Sequence, residues 1–136
     1  MLNDTLQQTL YTTIGCCHEV YRQLGPGLPE YVYQEAMASE LTNSGLTFHK
    51  ELEFHPLYKR QPLKTYIKMD LVVESAAGNI IIECKALSNI TEREHYQVFG
   101  YLRATGFPAA VLVNFGSSPK AQIERFTIQD SKIVAF

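Results

Sequence analysis

Met69-Asp70-Leu71-Val72-Val73, then Glu74-Ser75-Ala76-Ala77-Gly78-Asn79, then Ile80-Ile81-Ile82-Glu83-Cys84-Lys85 form one continuous stretch. Two apolar runs flank Ser75-Ala76-Ala77-Gly78, a loop of small residues, and predict strands over 64–73 and 79–86 joined as a hairpin. Strands this apolar suit the centre of a sheet, where burying charge is costly, yet these carry Asp70, Glu83 and Lys85. With the loop at 75–78, antiparallel register sets 74 opposite 79, 72 opposite 81, and Asp70 opposite Glu83. Period-two alternation then gathers Asp70, Glu83 and Lys85 on one face and turns Leu71, Val73, Ile80, Ile82 and Cys84 to the other.

Upstream the pattern is helical. Leu6, Leu10, Ile14, Cys17, Tyr21 and Leu24 make one stripe, opened by Asn3 or Asp4 and closed by Gly25-Pro26-Gly27. A second helix starts at Pro29 and runs to about Asn43, with Val32, Ala36, Met37 and Leu41 as its apolar side. From Thr47 the period drops to about two through Phe48, Leu52, Phe54, Leu57 and Tyr58, and Arg60-Gln61-Pro62 reads as a turn.

Downstream of the hairpin, Thr91-Glu92-Arg93-Glu94 is a capping-box pattern ahead of His95, Val98, Phe99 and Leu102, with Gly106 past the helix end. Ala109–Asn114 reads as a buried strand, and 123–128 and 132–136 as weaker ones. The order predicts an α/β (α+β) fold, a mixed central sheet flanked by helices, in one domain over 1–136.

Composition sets the outer bounds. Apolar residues at 46% and charged residues at 19% fit a folded globular chain and exclude disordered and collagenous classes. No apolar run approaches the ~18 residues of a membrane helix. Met1–Leu10 lacks the basic and apolar regions of a secretory leader, so a cytoplasmic protein with no membrane partner is expected. Cys16, Cys17 and Cys84 have no partners at zinc spacing and read as reduced core thiols. The net charge of −2 argues against coating nucleic acid by bulk electrostatics. Lys59, Arg60, Lys64 and Lys68, with no acid among them, are either a track for a phosphate backbone or a solvated edge strand that discourages aggregation.

Two carboxylates facing each other across strands repel unless a cation or a shared proton lies between them. A divalent metal is the economical explanation, since Mg²⁺ takes one or two carboxylates and keeps positions for water and phosphate. Lys85 beside it would orient or deprotonate an attacking water and offset charge on the phosphate, an inventory that fits phosphodiester hydrolysis. A structural ion-pair network would place the same charges there with no chemistry.

Asp70 with Glu83-Cys84-Lys85 resembles the D-x(n)-(D/E)xK signature of the PD-(D/E)xK nuclease superfamily, with Met69 where that name has Pro. Gly27-Leu28-Pro29-Glu30-Tyr31-Val32-Tyr33 matches the string of the GxxExxY protein family, and Gln97-Val98-Phe99-Gly100-Tyr101 resembles the QxxxY element of RecB-like and Cas4-like nucleases. Val111-Leu112-Val113-Asn114-Phe115-Gly116 is similar to the strand that closes the GxxExxY domain. The resemblance implies a restriction-endonuclease-like core and a Mg²⁺- or Mn²⁺-dependent nuclease acting on DNA. It implies Glu30, Asp70, Glu83 and the Cys84 main-chain carbonyl as metal ligands and Lys85 as the catalytic lysine, with Gln97 and Tyr101 touching the site or the DNA backbone. Tyr33 shares a helix face with Glu30 and is a candidate support. A homodimer is the expectation the small nucleases of that superfamily suggest.

Taken singly, Tyr33 and Tyr101 also read as core-edge aromatics with hydroxyls in water, Glu30 as a first-turn acid favoured by the helix dipole, and Gln97 as a solvated residue. His95 reads as a partly buried helix residue and Glu94 as part of the cap. Two other functions stay open: a binding module that keeps the nuclease fold and grips nucleic acid or protein without cutting, and a structural dimerisation domain.

Overall fold

The computed structural model describes residues 2–136. Asn3 caps α1 (Asp4–Leu24) by accepting the Thr5 N–H, and the chain leaves that helix at Gly25 in a positive-φ conformation that suits glycine. Pro29 precedes α2 (Glu30–Asn43). Extended chain follows as β1 (Phe48–Phe54), β2 (Leu57–Tyr58), β3 (Gln61–Pro62), β4 (Ile67–Val73) and β5 (Ile80–Lys85). The capping box of Thr91 and Glu94 opens α3 (Glu92–Thr105), and β6 (Ala109–Asn114), β7 (Gln122–Gln129) and β8 (Lys132–Ala135) complete the chain.

Six strands form one sheet in the order β1-β4-β5-β6-β7-β8. Every neighbouring pair is antiparallel except β5 with β6, which α3 joins as a crossover. Residues of α1 and α2 cover one face, packing on Leu71, Val73, Ile80, Ile82, Cys84 and Val111. Val98 and Leu102 of α3 cover the other, against Met69, Val72, Ile81 and Leu112. The mixed sheet flanked by helices is the expected architecture, and β5 and β6, covered on both sides, are its apolar centre.

Local differences from the sequence reading have physical causes. The apolar face of α2 is Tyr33, Met37, Ala38 and Leu41, because Tyr33 finds partners for its hydroxyl and can be buried, whereas Val32 and Ala36 lie half-buried at the margin. On α1, Thr13, Cys16 and Val20 join Leu6, Leu10 and Cys17 in the buried stripe, with the Thr13 hydroxyl returned to the Thr9 carbonyl. The turn expected at Arg60-Gln61-Pro62 is centred on Lys59-Arg60, both at positive φ, and closes a separate two-stranded hairpin, β2–β3, so β4 begins only at Ile67.

Candidate active site

The hairpin keeps the expected register as far as Leu71–Ile82, with Val72 opposite Ile81 and Val73 opposite Ile80. At the next pair the side chains take over the hydrogen bonding. Asp70 N–H donates to Glu83 Oε2 at 2.8 Å, and Cys84 N–H donates to Asp70 Oδ2 at 2.9 Å. Each carboxylate thus binds a main-chain amide of the opposite strand. Glu83 is almost fully buried at 2% exposure, and Asp70 is half-buried.

Uniform alternation does not hold through Asp70. The β1–β4 ladder pairs Lys50 with Leu71 and Leu52 with Met69, passing over Glu51 and Asp70, and Glu51 lies at φ 49°. As a result Met69 packs under α3 while Leu71, two residues on, packs under α1 and α2. Asp70 sits where β4 turns over, so its carboxylate reaches the Glu83 end of β5 by a local twist.

Lys85 ends β5 and donates from Nζ to Gln97 Oε1 on α3 at 2.7 Å. Gln97 Nε2 donates to the Tyr101 hydroxyl at 3.2 Å, and that hydroxyl donates to the Lys68 carbonyl at 3.4 Å. A cleft of about 260 Å³ opens beside them, lined by Glu30, Lys85, Leu87, Arg93, Glu94 and Gln97. Glu30, the first residue of α2, enters it half-buried, with Gln34 one turn on donating to its Oε1 at 3.4 Å. Glu30, Asp70, Glu83, Lys85, Gln97 and Tyr101 are therefore gathered at one end of the β4–β5 hairpin.

Tyr33 lies elsewhere, with its hydroxyl out of reach of water. Fully buried, it donates to the Gly25 carbonyl at 2.6 Å and accepts from Leu28 N–H at 3.1 Å, fixing the loop that delivers Glu30. Its ring stacks on Phe115 at 4.7 Å, and Phe115 N–H donates to the Lys85 carbonyl at 2.8 Å. Buried Asn114 accepts the Leu87 and Gly116 amides and donates to the Leu87 carbonyl, clamping the chain that leaves Lys85. A methyl group on Gly116 would overlap the Leu87 backbone, so glycine is required there. The strings around Glu30 and Asn114 thus meet behind the cleft.

Several contacts at the site go beyond what the sequence pattern singles out. Gln34 stands four residues after Glu30, a helical spacing that points to it. The clamp by Asn114 is marked only by a polar residue ending an apolar strand. Arg93 lines the cleft with no mark in the sequence beyond its place in the capping box. His95 pairs with Glu124 at 2.6 Å and packs on Phe99 and Phe126, and Glu94 completes the cap, as expected of both.

Burial dominates the electrostatics. It raises Glu83 to about 8, with the Asp70 charge adding to the effect and the Asp70 amide and Lys85 opposing it. Asp70 and Glu30 are raised for the same first reason, and Lys85 opposes both shifts. Burial also raises the Tyr101 phenol, helped by the Glu83 charge.

Three carboxylates and the Cys84 carbonyl offer oxygen donors alone, a set whose chemistry fits a hard divalent cation. Among the described residues, no three His, Cys, Asp or Glu side chains stand close enough to ligate one ion as they are placed. No helix among those residues is long and apolar enough to cross a membrane.

No curated protein and no solved structure matches the chain. The family model of the PD-(D/E)XK nuclease superfamily matches residues 7–126, which include α1 from its fourth residue, all of α2, the whole site and most of β7. Nucleases of that superfamily generally depend on a divalent metal, and the six-stranded mixed sheet with its three helices is consistent with their α/β restriction-endonuclease-like fold. On that match and this architecture, the chain belongs to the PD-(D/E)XK nuclease superfamily.

Proposed function

We propose that this protein is a nuclease that hydrolyses phosphodiester bonds of DNA with the help of Mg²⁺ or Mn²⁺. The observation that carries the reading is the crossing of Asp70 and Glu83 beside Lys85, with Glu30 and Lys85 lining the same cleft. The reading extends to the GxxExxY family within the superfamily, on the strings at Gly27–Tyr33 and Val111–Gly116.

In this reading Glu30, Asp70, Glu83 and the Cys84 carbonyl hold the metal, which when bound supplies Lewis-acid activation of water and neutralises charge on the phosphate. Lys85, held by Gln97, orients the attacking water and faces the charge that builds on the phosphate oxygens. Tyr101 closes the other side of Gln97 and carries that line of contacts to Lys68. Burial around Glu83 supports the role, because a carboxylate kept from water gains most from an adjacent cation.

The test is cleavage of labelled single-stranded, duplex and branched DNA in Mg²⁺ and in Mn²⁺, comparing wild type with folded Lys85→Ala. Metal-dependent products from wild type, reduced at least ~10²-fold in the variant, are expected. An inactive wild type whose calorimetry shows no carboxylate-dependent metal binding would leave a non-cleaving module with the nuclease fold.

A further inference from the structure

Residues 55–66 form an arm outside the six-stranded sheet, between β1 and β4, built on the β2–β3 hairpin. His55 Nδ1 fastens its base to the carbonyls of Leu63 and Thr65, and the Tyr66 ring packs edge-on against His55 at 5.6 Å. The arm presents Tyr58 and Tyr66, 62% and 49% exposed, among Lys59, Arg60 and Lys64.

Two features separate this arm from an ordinary solvated hairpin. Its turn carries Lys59 at φ 52° and Arg60 at φ 67°, where a two-residue turn ordinarily takes Asn-Gly, so two long cations occupy a backbone conformation that disfavours them. From Phe54 to Lys68 there is no acid to neutralise them, although the whole chain is net negative. The arm is also continuous with the cleft: β4 begins at Ile67, the Lys68 carbonyl accepts the Tyr101 hydroxyl, and Tyr101 leads through Gln97 to Lys85.

Exposed rings beside cations are the chemistry that suits an unpaired strand, whose bases stack on aromatic faces while its phosphates meet Lys and Arg. Paired bases inside a duplex offer no free face to Tyr58 or Tyr66. We infer that the 55–66 arm binds single-stranded nucleic acid and leads it past Lys68 to the cleft at Lys85. This deepens the nuclease reading and rests on it, by naming the substrate form that the site receives.

The test is anisotropy of a labelled single-stranded oligonucleotide and its duplex, in chelator and over a salt series. Lys59→Asn with Arg60→Asn keeps a turn that tolerates positive φ, and Tyr58→Leu removes one ring while leaving an apolar side chain. Wild type is expected to prefer the single strand. Each variant should weaken binding tenfold or more, and the turn variant should flatten the salt slope by about 1.4 at a melting temperature no lower than that of wild type, since Asn suits the positive φ better. Arm variants that bind like wild type overturn the inference while cleavage by wild type still stands. A duplex preference that the same variants abolish overturns the single-strand assignment. A wild type that neither binds nor cuts any nucleic acid overturns the nuclease reading, and this inference with it. Should Tyr58→Leu fail to fold, the turn variant alone decides.

Discussion

The Asp70 amide donates to the Glu83 carboxylate at 2.8 Å, while the Cys84 amide beside Glu83 donates to the Asp70 carboxylate at 2.9 Å. The two acids exchange main-chain donors across the mouth of the hairpin. That exchange holds them side by side although like charges repel, since each carboxylate gains an amide that would otherwise belong to the ladder. A divalent cation at the same place would offset the remaining repulsion.

Glu83 titrates at about 8 in the folded chain against an ordinary value of 4.5, so between those limits the folded state keeps a proton that the unfolded state releases. The stabilisation is complete below pH ~4.5 and is lost as pH rises through about 8, with Asp70 and Glu30 shifted in the same direction. In chelator, the melting temperature is expected to be lower at pH 8 than at pH 5, and each unit of such a shift corresponds to about 1.4 kcal/mol. Glu83→Gln should flatten this dependence, and Mn²⁺ at pH 8 should raise the melting temperature of wild type only. A metal-free protein more stable at pH 8 would refute the assignment.

Gln97 holds Lys85 at 2.7 Å, which in the proposed nuclease reading would make it a positioning residue. Gln97→Ala should lower kcat about 10- to 100-fold, the range typical of groups that orient a metal-site residue, with KM little changed. Because Gln97 is half-buried, stability should move by less than about 1 kcal/mol. Steady-state kinetics beside thermal melts read both quantities, and a change confined to KM would place Gln97 in substrate binding instead.

Behind the cleft, Tyr33→Phe leaves the Leu28 amide and the Gly25 carbonyl without their partner, at a cost of about 1–3 kcal/mol. Asn114→Ala strands two amides and a carbonyl and should cost about 2–4 kcal/mol. Urea unfolding measures both losses. Each variant is also expected to cut less DNA at temperatures where it stays folded, because the first loosens the loop bearing Glu30 and the second the chain leaving Lys85. Full activity in a folded Tyr33→Phe would show that Glu30 needs no such support.

Much of the fold is legible in the order of residues. The loop at 75–78 and the two apolar runs determine the hairpin register, because period-two alternation leaves one pairing that buries both runs. The capping box and the glycines after α1 and α3 mark helix ends by local rules of backbone geometry. That register predicts Asp70 near Glu83, although the twist at Asp70 is what carries its carboxylate to β5.

Other features only the tertiary structure decided. The twist at Asp70 lies where the ladder also passes over Glu51, a positive-φ residue on another strand, and no local pattern in β4 announces it. Tyr33 looks amphipathic in sequence, but whether its hydroxyl meets water or the Gly25–Leu28 loop depends on how that loop folds back on α2. The join between the Glu30 and Asn114 strings is likewise invisible along the chain, because it runs through the Tyr33–Phe115 stack between elements far apart in sequence. Periodicity reports which way a residue faces within its own element, and packing between elements decides what that residue meets.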